Sequence, residues 1–299
     1  MLSADYYQRL YDLEDQHWWF QGTRAIGQAL LDVYFKGKSD LKVLDAGCGT
    51  GVSLGWLERY TRPEAIFGID ITALALQFCL TRQYKQLALA SVLELPFPAA
   101  SFDLVISADV LQHLSRQGGD TAALREMSRV IKPGGILYVR TNTSKGVGQV
   151  RAEVDSSYQR YDQDELTRKF EATGFVIERV TYINMLMSAW GTVKRKAKNL
   201  VPAHHEDHQP HDNNSPGHQH SHEHEHNHNH NHDRGLAVKL PRWRFLNRSL
   251  FGLMKLEALY LAKPGRQISF GHSQIFILRK SIQPEGLTDH NGESKSSSS

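Results

Sequence analysis

Residues 41–51, Leu-Lys-Val-Leu-Asp-Ala-Gly-Cys-Gly-Thr-Gly, restrict what this chain can fold into more than any other stretch. Leu41, Val43 and Leu44 make a short apolar strand, and Asp45 ends it. Gly47, Gly49 and Gly51 then form a bend free of side chains, and residues 52–59 read as a helix. Strand, glycine bend and helix make a nucleotide cradle, because backbone N–H groups and the positive end of the helix face the ligand. Asp70 closes the next strand (65–70) at the place where an acid can grip ribose hydroxyls, roughly twenty residues downstream.

The dinucleotide fingerprint G-x-G-x-x-G is not met, since Val52 takes the place of the third glycine. Asp45 would also repel a pyrophosphate. A carboxylate there suits a ligand with an ammonium and a sulfonium but no phosphate, and S-adenosylmethionine is such a ligand.

On these residues the chain resembles the class I S-adenosylmethionine-dependent methyltransferases of the broad type 11 group. Val43–Gly51 is similar to that family's first motif, and Gly68-Ile69-Asp70 to its second. Residues 93–114 and 130–139 resemble the stretches around its fourth and fifth strands. A narrower likeness, to a bacterial subgroup, rests on the segment 11–24 with its His17-Trp18-Trp19-Phe20, on 160–175, and on the C-terminal stretches 246–261 and 269–280. The resemblance implies a doubly wound, mostly parallel seven-stranded α/β sheet, Rossmann-like, with an antiparallel last strand. It implies S-adenosylmethionine as cofactor, with Asp45, Gly47, Gly49 and Gly51 at the methionyl end and Asp70 and Ile71 at the ribose. Ser91 and Val92 would edge the adenine, and Asp109 would close the site. Relatives usually carry Asp where Ser91 stands, and many carry a His-Asp pair where this chain reads Gln149-Val150-Arg151-Ala152. The acceptor implied is a small or lipid-linked molecule. Two further readings stay open: a methyltransferase-like binding protein without turnover, and a metal-handling protein.

Net charge is +3, too weak to point to nucleic acid, and no stretch has the length of a membrane span. Two cysteines imply no disulfide framework, and the start shows no signal-peptide pattern, so a reducing, cytoplasmic setting is expected. No feature indicates an oligomeric state, and no catalytic base stands out. His17 and His113 lie at suitable places, but a packed histidine explains each as well.

Strands are expected near 41–45, 65–70, 86–90, 102–108 and 135–141, with helices at 4–15, 24–35, 121–132 and 162–173, a strand at 175–182 and a last strand at 269–280. Tyr7, Leu10, Tyr11 and Glu14 share one side of the first helix. This divides the chain into an N-terminal helical cap (1–36), a cofactor-binding domain (37–183 with 268–281), a helical insertion (184–267) and a disordered tail (282–299). The insertion should hold helices near 184–199 and 242–262. In the second, Leu246, Leu250, Leu253 and Glu257 fall on one side, Phe245, Phe251, Met254 and Leu259 widen the apolar surface, and Arg242, Arg244, Arg248 and Lys255 keep it basic. Such a helix packs on the sheet or its neighbour, or serves as a lid or a membrane-surface contact.

Twelve of the sixteen histidines lie within 204–232, and His218, His220, His222, His224, His226, His228, His230 and His232 alternate with mostly polar residues. This composition cannot bury a core, so disorder is expected. Imidazoles on a flexible strand suit zinc, nickel or copper without fixed geometry, which is unlike a catalytic metal site.

Overall fold

Alternating apolar and polar segments lay down one seven-stranded sheet. The computed structural model describes residues 3–115, 117–144, 159–185, 241 and 243–282. The strands are β1 (Val43–Ala46), β2 (Ile66–Asp70), β3 (Leu87–Leu89), β4 (Phe102–Ala108), β5 (Ile131–Asn142), β6 (Phe175–Ile183) and β7 (Ser273–Lys280). Their order is β3-β2-β1-β4-β5-β7-β6. All neighbouring pairs are parallel except those of β7, which runs antiparallel to both β5 and β6. β1 is central and wholly buried, with Val43 opposite Ile66 on one side and Leu104 on the other. The strand order reverses on either side of β1, so the C-terminal ends of β1 and β4 open a crevice there.

Period-two alternation splits the core into two layers. Val43, Leu104, Ile106 and Tyr138 face α2 (Trp18–Phe35), α3 (Val52–Leu57), α4 (Ala73–Thr81) and α7 (Arg244–Leu261). Leu44, Val105, Leu137 and Val139 face α5 (Gly119–Val130) and α6 (Gln163–Ala172). In α2, Ile26, Leu30 and Leu31 are fully buried, each worth about 1.5–3 kcal/mol of apolar burial.

Three element boundaries differ from the sequence reading. α2 starts at Trp18, six residues before the expected start at 24, because His17 caps it: the imidazole Nδ1 accepts from the Trp19 N–H at 3.1 Å. α5 ends at Val130, and Pro133, Gly134 and Gly135 lie within β5, where the pairing with β4 slips between Phe102 and Leu104. β7 begins at Ser273, four residues after the expected 269. α7 buries only part of its expected apolar surface. Met254, Glu257, Ala258 and Leu261 are buried, whereas Leu246 and Leu253 are exposed. The helix packs along α2, so closely that a Cβ at Gly22 would sit 2.6 Å from Met254. α1 (Ala4–Glu14) and α6 match their expected spans to within two residues, and α6 is capped by Asp162 and stopped at Gly174, whose φ is +86°. The histidine-rich stretch, Gln149–Ala152, the tail from 283 and residues 186–199 lie outside the described residues.

Candidate active site

The glycine bend is fastened at both ends. The Gly47 and Cys48 N–H groups donate to the Ile69 carbonyl at 2.9 and 2.8 Å, which ties the bend to β2. Gly47 has φ +99°, and a Cβ there would lie 2.3 Å from Val110 Cγ2, so both backbone and space demand glycine. The Cys79 thiol of α4 donates to the Gly49 carbonyl at 3.2 Å. Gly51 caps the start of α3.

Two carboxylates flank the bend. The Asp70 oxygens accept from Gly49 N–H (3.0 Å) and Thr72 N–H (2.9 Å), which locks the group at the end of β2. Each oxygen keeps a further lone pair for a ligand. Beside it the Ile71 side chain is 70% exposed, an apolar surface left bare at the crevice. Asp45 is buried, and the Ser53 hydroxyl donates to it. Burial pushes its pKa up to about 7; the Ser53 bond and the Arg140 charge oppose this, and the Asp70 charge adds to it. A buried carboxylate held by one hydroxyl gains strongly from a cationic ligand.

Ser91 and Val92 follow β3, which pairs with β2 at Asp70↔Leu89. The Ser91 Oγ accepts from Leu93 N–H at 3.1 Å, and Val92 is buried. Asp109 follows β4 in left-handed backbone (φ +61°), and its carboxylate takes two bonds from the Arg140 guanidinium. Burial opposes the Arg140 charge, but Asp109 outweighs it and the guanidinium pKa is raised. Asp45, the glycine bend, Asp70, Ile71, Ser91, Val92 and Asp109 therefore share one edge of the sheet. Asp109 is the member already engaged by a protein cation.

The sequence reading missed how α1 covers this edge. Glu14 is 3% exposed and accepts from the Thr50 hydroxyl of the glycine bend and from Arg82 at 2.9 Å. Arg82 also donates to the Thr50 carbonyl at 3.1 Å, pairs with Asp15 at 2.8 Å and lies over the Tyr11 ring. The Tyr7 hydroxyl donates to Thr72 at 3.2 Å. Burial lifts the Glu14 pKa to about 7 despite the Thr50 and Arg82 bonds. An acid on the apolar stripe of α1 was the signal available in the sequence, because such a group needs a buried partner. Arg82 carried no signal.

The aromatic segment divides its roles. His17 caps α2, Trp18 is buried in the core, and Trp19 meets the His272 ring edge-on at 5.4 Å. His113 is exposed in the turn Leu111–His113. His272, which the sequence reading passed over, precedes β7 at the same rim. Its side chain is exposed at the surface; partial desolvation by its neighbours lowers its pKa, Arg160 lowers it further and Asp109 opposes them. Nearby in sequence pairing, Asn184 ends β6 in left-handed backbone, and both its amide atoms are buried without a hydrogen-bond partner among the described residues.

Comparison with known proteins identifies the family and the fold. A family model described as a methyltransferase domain matches residues 44–139. A putative methyltransferase of Encephalitozoon cuniculi is 34% identical over 159 residues, which is 51% of this chain and 70% of that protein. A tRNA (carboxymethyluridine(34)-5-O)-methyltransferase of Arabidopsis thaliana is 32% identical over 140 residues, 46% of this chain but 33% of that protein. Among solved structures, the complex between the Haloferax volcanii Trm112 methyltransferase activator and the putative methyltransferase aligns with a TM-score of 0.54 at 16% identity. That alignment covers 93% of this chain and 95% of the other, and it shows the shared fold. This chain belongs to the methyltransferase-domain family, among the class I S-adenosylmethionine-dependent methyltransferases. It is an enzyme of that class, with S-adenosylmethionine as its cofactor.

Proposed function

We propose that this chain transfers a methyl group from S-adenosylmethionine to a small-molecule or lipid-linked acceptor. Asp45, Gly47, Gly49 and Gly51 would hold the methionyl end, Asp70 and Ile71 the ribose, Ser91 and Val92 the adenine edge, and Asp109 the far wall. The observation that carries this placement is the pair of carboxylates around the bend. Asp45 is buried, with the Ser53 hydroxyl as its hydrogen-bond donor and the Arg140 charge, already paired with Asp109, only partly offsetting its burial, which fits an ammonium. Asp70 is oriented by two backbone N–H groups, which fits two ribose hydroxyls. Ile71 offers the apolar face that a nucleoside needs beside it.

When bound, S-adenosylmethionine supplies a methyl group on a positively charged sulfur, already activated for in-line displacement. The chain's own work is alignment and exclusion of water. α1 closes over the bend through Glu14, Thr50 and Arg82. Trp19 and His272 stand at the rim where an acceptor would enter. An acceptor hydroxyl would need its proton removed, and among the described residues the His272 imidazole stands at that rim to take one.

The His17–Phe20 segment and the C-terminal half support placement in the bacterial subgroup named above, and the two reduced cysteines suit a cytoplasmic enzyme. In this reading residues 1–36 shape the acceptor side, and 184–267 is an insertion between β6 and β7.

Calorimetry of cofactor binding to Asp70→Ala tests the placement. Each charge-assisted hydrogen bond is worth about 1.5–3 kcal/mol, so the variant should bind at least about tenfold more weakly. Unchanged affinity would refute it.

A further inference from the structure

Helix α7 is apolar on two opposite sides, and among the described residues only one is covered by protein. Its inner side, centred on Met254 with Ala258 and Leu261, packs on α2. Glu257, the helix's acid, is on that inner side and accepts from the Asn184 and Met185 N–H groups at 2.8 Å each. The outer side carries Phe245, Leu246, Leu253, Leu256, Leu259 and Tyr260, all exposed, with Phe245 at 63%, Leu256 at 61% and Leu259 at 67%. At 100° per residue these six spread over one continuous arc opposite Met254. Arg244, Arg248 and Lys255 are exposed along one flank of that arc. Trp243, stacked on Phe245 with ring centroids 5.4 Å apart, stands at the helix start. Lys263 and Arg266 continue the positive charge beyond its end.

We infer that the outer face of α7 docks on an anionic lipid surface, lying in the interface with its apolar arc in the acyl boundary and its basic flank on the headgroups. The argument is charge complementarity. The exposed face bears cations and no carboxylate, so a second copy would set like charges along the same flank, whereas an anionic headgroup layer pairs with them. Lone exposed leucines are ordinary, but six large apolar side chains along one helix face are not. Trp243 is the aromatic type that favours a membrane interface, with its apolar body and polar N–H. No helix among the described residues is long and apolar enough to cross a membrane, so the contact is peripheral. α7 lies along α2, whose first turn carries Trp19 at the acceptor rim, so docking would bring that rim close to the lipid. The inference does not depend on the methyl-transfer reading, because binding is measured without turnover.

The test is flotation of the full chain with vesicles of phosphatidylcholine alone and of phosphatidylcholine containing about a quarter phosphatidylglycerol, near physiological salt. The chain should partition at least about tenfold more onto the anionic vesicles, and Arg248→Ala and Lys255→Ala should each cost about fivefold. A double variant, Leu256→Ser with Leu259→Ser, should lose the binding and keep cofactor affinity. Those residues face outward, so folding is not at risk. No flotation of the parent chain, equal flotation on both vesicles, or a serine variant that still binds would overturn the proposal. So would light scattering that shows a dimer for the parent and a monomer for the serine variant, which would assign the face to a second copy.

Discussion

At the scale of single residues, Asp45 carries the sharpest consequence. Its folded pKa, about 7, lies above the ordinary carboxylate value because of burial. The sign follows from linkage: the protonated group favours the fold, and that contribution is lost as pH rises through about 7. Asp45→Asn removes a charge the fold holds at a cost, so at pH 8 the ligand-free variant should be more stable, by about 1–3 kcal/mol, the usual desolvation penalty of a buried polar group. The same variant should lose its hold on the cofactor ammonium, with affinity falling at least about tenfold. In the parent enzyme, affinity should weaken by up to about tenfold per pH unit below 7, as the carboxyl is neutralised. Thermal melts and calorimetry over that range check both directions. A variant less stable than the parent at pH 8 would show that the Arg140 charge and the Ser53 bond outweigh the cost of burying Asp45. The placement of Asp45 and Asp70 was legible in the sequence because each lies in the last two residues of a strand beside the glycine bend, Asp45 one residue before the end of β1 at Ala46. His272 was not legible, since its place beside Trp19 depends on the pairing of β7 with β5 and on where α2 begins.

At the scale of elements, α1 depends on a polar clasp more than on a broad apolar face. Tyr7 and Glu14 are its buried residues, and Glu14 joins the glycine bend to Arg82. Glu14→Ala should leave the Thr50 hydroxyl and part of the Arg82 guanidinium without their partner, at about 3 kcal/mol for a broken buried ion pair. The loss should be local. Hydrogen exchange should speed up over residues 4–14 while the amides of β1 and β4 keep their protection, and cofactor affinity should fall with it. Uniform loss across the sheet would mean that α1 is part of the global core. Elements governed by local signals were readable in advance: α6 between its Asp162 cap and Gly174, and β4 from its continuous apolar run Leu104-Val105-Ile106. Elements governed by context were not. The start of α2 depended on a histidine acting as a cap, a role more often filled by Ser, Thr, Asp or Asn. The β5 entry depended on a register slip that Pro133-Gly134-Gly135 disguised as a helix stop. The inner face of α7 was set by Gly22, which lets Met254 approach α2, and nothing within 244–261 reveals that.

At the scale of the whole molecule, the histidine-rich stretch 204–232 falls in the chain between β6 and β7, remote in sequence from the glycine bend. Replacing it with a short Gly-Ser linker should leave cofactor affinity and turnover within about twofold, because surface loops cost little to close. Nickel or zinc binding should largely disappear, and in the parent it should weaken as pH falls through about 6.5. Metal affinity that survives the replacement would place the ligands elsewhere. The architecture also supplies its own reporter of site opening. Cys48 and Cys79 are the two cysteines of the sequence, both buried, with sulfurs 3.8 Å apart between the glycine bend and α4. A thiol reagent can reach them only when the bend parts from that helix, so the labelling rate is the opening equilibrium multiplied by the reagent's intrinsic rate. Cofactor that binds only the closed bend should slow labelling by about a hundredfold at a hundred times its dissociation constant. The native chain, with no label introduced, therefore times how often its cradle comes apart.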